Sequence, residues 1–269
     1  MKSPLLLASA ILFFVGSAQA HYHILHVNPN TVKVGDKVNF GYGFGHPFEH
    51  EIFDTEPPER ATLIAPDGKA TDVLAGFQKT QVVGGNGKKI TVFQFPFQPE
   101  KRGDYTLLVE SPPIWMKEEK HFVRDTSRVV LHVETQKGWD VRAAGANDFA
   151  ITPLTRPYGL RAGMVFQANV LPHESNGVSH LAEIERYNAE PPRALPPDEH
   201  ITHAVKTDPN GTATCTLPEP GWWCLTAIRR YPAEAKAPTR ERDGKQYPVI
   251  ERATLWVYVD DQVPLKPVE

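Results

Sequence analysis

Beyond its first twenty residues the chain has no uninterrupted apolar run approaching the roughly 18 residues a membrane helix needs. It has no long basic run and no acidic tail. Its formal net charge is only −3, which argues against nucleic acid as the main partner. Helical periodicity is weak beyond the leader, whereas proline is abundant at 25 residues, a balance that suits a β-rich, turn-rich globular protein. Catalytic motifs are missing too. There is no Gly-x-Ser-x-Gly elbow and no His-Glu-x-x-His helix. Gly84 to Lys89 lacks the full phosphate-loop spacing and reads as a hairpin turn. With no nucleophile, general base or organic cofactor motif in view, no enzymatic activity is expected.

Cysteine is scarce: Cys215 and Cys224 are the two in the chain. In an exported protein an even, closely spaced pair reads as a disulfide. The turn chemistry of Leu217-Pro218-Glu219-Pro220-Gly221 would fold the flanking segments back on each other. Such a bridge would contribute ~2–3 kcal/mol if unstrained.

What the chain does have begins with a leader. Met1 to Ala20 combines Lys2, an apolar run from Leu5 to Val15, and the small residues Ala18 and Ala20, the pattern of a cleaved signal peptide. No cysteine stands at the cut, so lipid attachment is not expected. The mature chain is therefore expected in the periplasm, beginning His21-Tyr22-His23-Ile24-Leu25-His26. A cut after Ala18 would instead leave His21 third.

The remaining residues, roughly 250, fit one large or two ordinary domains. Turn signals at Asp67-Gly68, Asn86-Gly87, Asp208-Pro209-Asn210-Gly211 and Asp243-Gly244 separate short β-prone runs. These runs include Lys37 to Phe40, Ile90 to Phe95, Tyr105 to Val109, Met164 to Leu171, Ala182 to Tyr187, Trp222 to Ile228 and Arg252 to Val259. That spacing marks an all-β, immunoglobulin-like β-sandwich. Thr31 to Val38 and Gly159 to Phe166 look alike, each setting a glycine turn before a strand. The expectation is two tandem sandwiches, residues 21–138 and 146–262, with one elongated sandwich as the alternative. Tyr231 to Tyr247 reads as a long surface loop.

Chemistry concentrates at the new N-terminus. A free amine has a pKa of about 7.7–8.0 and imidazole about 6.5, so both lose protons near neutrality and bind metal. A third-position imidazole (His23 after the Ala20 cut) completes a square-planar four-nitrogen cage with the amine and two deprotonated amides, suited to Cu(II) or Ni(II). Alternatively, His21 binds through both amine and ring as a histidine brace. A second cluster, Gly45-His46-Pro47-Phe48-Glu49-His50-Glu51, supplies His46 and His50 as loop ligands. His26 shares a strand face with Ile24 and reads as either packed or metal-bound. His121 and His132 read as structural strand histidines, and Trp222, Trp223 or Trp139 as a sugar platform in a non-metal carbohydrate-binding or adhesion module. In that paired-tryptophan segment the strand alternation favours one core residue and one beneath a loop.

Several phrases together resemble a known family. They are the Ala20-His21 start, Gly45-His46-Pro47-Phe48-Glu49-His50, Asp67-Gly68, Thr207-Asp208-Pro209-Asn210-Gly211, Gly221-Trp222-Trp223 and Arg252-Ala253-Thr254-Leu255-Trp256-Val257. The chain is similar over nearly its whole mature length to the bacterial periplasmic family catalogued as a domain of unknown function, family 4198, and grouped with NikM-like nickel and cobalt uptake components. The resemblance implies an immunoglobulin-like fold that captures Ni²⁺ or Co²⁺ for an energy-coupling transporter in the inner membrane. It points to His21, His23, His46 and His50 as ligands, with Cu²⁺ as the alternative ion. The cysteine pair and a histidine in first rather than second place depart from the family pattern.

Overall fold

The computed structural model describes residues 21–84, 87–142, 148–171, 180–229, 231 and 237–261. The leader, Asn86, Gly145, Asn147, His173 and Asn176-Gly177 lie outside the described residues, as do the ends of the expected second segment. In chain order the first strands are β1 (Tyr22–Val27), β2 (Thr31–Val32), β3 (Val38–His46), β4 (Glu51–Phe53), β5 (Arg60–Ile64), β6 (Ala70–Asp72) and β7 (Gln78–Val83). Next come β8 (Lys89–Phe97), β9 (Gly103–Glu110), β10 (Ile114–Met116), β11 (His121–Val133), β12 (Ala150–Pro153), β13 (Leu160–Arg161) and β14 (Met164–Leu171). The last are β15 (Leu181–Tyr187), β16 (His203–Lys206), β17 (Thr212–Leu217), β18 (Gly221–Ile228), β19 (Thr239–Arg242) and β20 (Lys245–Asp260). Among the described residues helix is limited to two single turns, and no helix is long and apolar enough to cross a membrane.

The strands form a sandwich-like stack around one large sheet of order β16-β15-β18-β20-β11-β9-β5-β6. Its seam is a parallel pairing of β11 with β20, from Phe122↔Val249 to Val129↔Trp256. Because strand side chains alternate between faces, β18 and β20 feed two different cores. Trp222, Cys224 and Trp256 join a cluster with Tyr22, Phe40, Leu107 and Leu131 beneath the smaller sheet β1-β3-β8-β7. Trp223, Leu225, Leu255 and Val257 join Phe149, Phe166 and Val170 beneath the three-stranded sheet β12-β14-β17. Segments 21–138 and 146–262 thus each bring an outer sheet, and a single central sheet runs through both.

The two look-alike phrases perform the same manoeuvre. β2 lies parallel to the end of β11 and β13 lies parallel to the end of β20. Each is followed by a glycine at positive φ, Gly35 (86°) or Gly163 (83°), before a long strand crosses to the outer sheet. Glycine occupies that conformation without a Cβ clash.

Three local expectations are corrected. Cys215 and Cys224 are free thiols, not a disulfide. The Leu217 to Gly221 turn leads from the outer sheet into the central one, so β17 pairs with β14 while β18 pairs with β15 and β20. Cys224 then faces the first core and Cys215 packs against the second. Trp222 and Trp223 are both buried, one in each core, which removes them as a sugar-binding platform. Within the expected Tyr231 to Tyr247 loop, β19 and the start of β20 form a hairpin. Its turn residues Asp243 and Gly244 both have positive φ (51° and 72°), as a two-residue type I′ turn requires.

Candidate metal site

β1 is an edge strand paired antiparallel with β3, in the register Tyr22↔Gly45, Ile24↔Gly43 and His26↔Gly41. The glycines fall on one face because they alternate. A Cβ on Gly45 would meet the Glu51 carbonyl oxygen at 2.0 Å, and one on Gly41 would meet His26 Cε1 at 2.6 Å. The bare backbone lets β4 and the His26 ring approach closely.

The other face carries the histidines. Continuing the register by one residue sets His21 across from His46, and their ring centroids are 4.1 Å apart at 64°. His46 is buried, with Nδ1 3.1 Å from Glu51 Oε2, while its Nε2 is buried without a hydrogen-bond partner. Phe53 packs edge-on against His46 (5.3 Å) and Phe44 stacks on His21 (5.8 Å). A carboxylate on one ring nitrogen and nothing on the other is the arrangement that orients a metal-ligating histidine.

His23 lies deeper. Its Nδ1 is 2.6 Å from Asp125 Oδ2, and Arg252 donates to both Asp125 oxygens, from Nε at 2.6 Å and Nη2 at 2.8 Å. Burial pushes the Asp125 carboxyl up, but the Arg252 charge and the His23 hydrogen bond outweigh it and hold the group well below the usual carboxylate range. An ionised carboxylate only accepts, so the His23 hydrogen sits on Nδ1. Nε2 of His23 is again buried and unpartnered. Arg252 Nη2 also donates to the His21 carbonyl at 2.6 Å, and Trp256 Nε1 donates to the His23 carbonyl at 3.0 Å. These side chains satisfy the carbonyls on the free edge of β1.

The two chelates expected at the N-terminus make different demands on these atoms. A planar cage through His23 would close a six-membered ring from its amide nitrogen through Nδ1, and Nδ1 is committed to Asp125. The same cage needs the backbone of Tyr22 and His23, which is held in the strand. His21 lies just before the strand, with its carbonyl clamped and its ring beside His46. Among the described residues no group of three or more His, Cys, Asp and Glu side chains is gathered to hold an ion. A brace needs only two imidazoles, because its third nitrogen is the backbone amine.

Three further histidines lie apart from the His21–His46 pair. His50, at φ 54°, donates from Nδ1 to the Asn188 carbonyl (2.8 Å) and packs on Tyr187, which ties the Pro47 to His50 turn to β15. Burial lowers the His26 pKa to about 4, so it is neutral. His132 bonds Asp104 at 2.6 Å and stacks on Tyr158, as a structural strand histidine does.

Beside His21 opens a cavity of about 370 Å³, lined by Phe44, Phe53, Trp115 and Met116, with Lys117, Glu118 and Glu119 also on its wall. Asp125 and Arg252 were not picked out from the sequence. The available signal was charge inside two otherwise β-prone runs: Arg124, Asp125 and Arg128 in Phe122 to Leu131, and Glu251 and Arg252 in Ile250 to Val259.

Fold and site together define an all-β sandwich protein with a histidine cluster at the start of an edge strand. The family model described as Domain of unknown function (DUF4198) matches residues 18–230, and the chain belongs to that family. No curated protein sequence matches it. Among solved structures it is similar to a DUF4785 family protein from Legionella pneumophila, with 12% identity over 77% of this chain and 52% of that one, at a TM-score of 0.28. It is also similar to dimeric latent PorU from Porphyromonas gingivalis (13% identity, 89% of this chain and 20% of that one, TM-score 0.23). Trypsin-activated alpha-2-macroglobulin from Escherichia coli is a further case (10%, 90% and 16%, TM-score 0.24). The chain thus spans about half of the first of these structures and a fifth or less of the other two.

Proposed function

We propose that this is an exported, non-enzymatic binding protein for one divalent transition-metal ion, which it captures in the periplasm and presents to an uptake transporter in the inner membrane. Removal of the leader after Ala20 would give His21 a free amine. The ion would be held by that amine, the His21 ring and the His46 ring. The observation that carries this reading is the His21–His46 pair, 4.1 Å between centroids, with His46 backed by Glu51 and its Nε2 buried and unpartnered. The acidic side chains of Glu118 and Glu119 at the neighbouring cavity would favour a cation on its way in.

Ni(II) or Co(II) is the cargo that the family resemblance implies. Release would follow protonation of the amine and imidazoles, or competition from transporter ligands. Cu(II) is a second reading, favoured by one observation: with His23 Nδ1 taken by Asp125, the nitrogen set that remains is that of a brace. Cu(II) also outranks Ni(II) and Co(II) on nitrogen ligands, so metal supply would decide between them.

The test is native mass spectrometry of exported protein, which gives the first residue and the bound ion together, followed by calorimetric titration with Ni²⁺, Co²⁺ and Cu²⁺. The expected result is one ion per chain, lost when the amine is acetylated and weakened at least roughly tenfold by His46→Ala. A retained leader, or equal affinity with the amine blocked, overturns the reading.

A further inference from the structure

β3 and β4 form a hairpin arm of three rungs, Phe44↔Phe53, Gly45↔Ile52 and, at its tip, His46↔Glu51. The arm therefore carries both the His46 ring and the carboxylate behind it, with Nδ1 3.1 Å from Oε2. So short a hairpin is not fixed in water by its own rungs. β8 pairs with β3 only from Val38 to Tyr42, and among the described residues β4 pairs with β3 alone. Something else must hold the tip in place.

The second half of the chain does so. The Phe48 backbone nitrogen donates to Glu185 Oε1 (3.1 Å), and the Phe48 carbonyl accepts from Asn188 Nδ2 (2.6 Å). Asn188 N donates to the Pro47 carbonyl (3.0 Å), and His50 Nδ1 donates to the Asn188 carbonyl (2.8 Å). Glu185 is itself buried and receives a hydrogen bond from Thr202 Oγ1 (2.6 Å). A free surface turn needs none of these partners, because water satisfies its peptide groups. His50 also sits at φ 54°, a left-handed conformation that persists in a non-glycine residue when its surroundings hold it.

We infer that Glu185 and Asn188 are positioning residues for the metal site: by gripping Phe48 at both its nitrogen and its carbonyl, they set His46 and Glu51 against His21. Neither would touch the ion; both act through the turn. The bond from His50 lies at the far end of that turn, so its loss leaves Phe48 gripped. The capture site is then a joint product of the two halves of the chain, and by reciprocity a bound ion steadies the contact with β15. The effect on metal rests on the reading above, whereas the placement of the ring is testable with no ion present.

The experiment compares Asn188→Ala, Glu185→Ala and Glu185→Gln with the wild-type mature chain in calorimetric titrations with Ni²⁺ and Cu²⁺. Both alanine variants should still bind one ion per chain, about tenfold more weakly. Glu185→Gln keeps an acceptor for Phe48 N and should bind within about twofold of wild type. Ile184→Val, in the second core on the same strand, lowers the melting temperature without reaching the turn and should leave affinity unchanged. In EDTA, nitrogen-detected spectra of the His46 ring should show the single Nδ1–H tautomer in wild type and Glu185→Gln, and mixed tautomers in the alanine variants. Circular dichroism confirms folding; if Glu185→Ala does not fold, Asn188→Ala and the ring spectra decide. Wild-type affinity in the alanine variants, an equal loss in Ile184→Val, or an unchanged His46 ring overturns the assignment. If the wild-type chain binds no ion, the metal reading falls, and the ring spectra alone decide the positioning role.

Discussion

Asp125 and Arg252 are direct cross-strand partners on the parallel seam of the central sheet, with Arg252 Nε 2.6 Å from Asp125 Oδ1. One residue comes from each half of the chain. Together they hold the His23 ring and the His21 carbonyl, so the start of the edge strand is fixed by residues 100 and more positions away.

Removing one partner from this pair should be severe. Asp125→Ala leaves Arg252 buried without its counter-charge and is expected to cost about 3–5 kcal/mol, measured by urea denaturation at pH 7. Arg252→Met added to Asp125→Ala should recover part of the loss. Because the folded Asp125 pKa is depressed, its contribution is present above the unfolded carboxylate value, about 3.9, and disappears as pH falls from there towards the folded value. The acid limb of the stability curve should flatten in Asp125→Asn. An unchanged acid limb would show that the pair does not govern it.

A second pH effect has the opposite sign. Glu185 is buried in β15, where its Oε2 accepts from Thr202 Oγ1 (2.6 Å) and its Oε1 from Phe48 N (3.1 Å). Burial pushes its pKa up to about 7 despite those hydrogen bonds, with Glu49 and Glu183 adding to the rise. The folded chain therefore keeps a proton that the unfolded chain releases near pH 4.5. Stability should fall as pH climbs from there to about 7, by up to roughly 3 kcal/mol. Neutral His26 works against this slope, since its depressed pKa makes stability rise between about 4 and 6.5. Glu185→Gln should remove the fall above pH 6.5 in thermal melts, while His26→Phe should steepen the fall below it.

The thiols give a direct chemical check. Burial raises the Cys215 thiol to about 11 and lifts Cys224 well above its ordinary value. Iodoacetamide should therefore label the folded chain slowly. In denaturant without reductant, two adducts per chain are expected by mass spectrometry, and none would mean that the two sulfurs are bonded.

The histidines should separate by role in metal titrations. His46→Ala should weaken binding at the proposed site strongly, and Glu51→Gln by roughly 10–100-fold, the usual effect of losing the carboxylate behind a ligating ring. His50→Ala, which loses its hydrogen bond to Asn188, should loosen the Pro47 to His50 turn and leave affinity within about twofold, whereas losing a ring that binds the ion costs far more. A large affinity loss in His50→Ala with the fold intact would place that ring in the site.

Much of this was legible in the amino-acid sequence because its causes are local. β-branched and aromatic runs between turn residues located β8, β9, β14, β15 and β18 to within a few residues. Asp243-Gly244 carried its own hairpin turn, and the two look-alike phrases carried the same glycine turn. The His21 and His46 candidates also came from the sequence. Their meeting did not, since it depends on the β1–β3 register. The disulfide expectation failed for the same kind of reason: only eight residues separate the cysteines, but the turn between them changes sheets.

The sequence by itself determined which segments are strands, where they turn, and that imidazoles cluster near His21, because those properties follow from side-chain shape and backbone preference over a few residues. Only the tertiary structure decided which histidine nitrogens are committed, since Asp125, Arg252 and Glu51 act through space across paired strands. It likewise decided that Trp222 and Trp223 serve two cores, because a strand in a sheet covered on both faces buries each neighbour in a different direction.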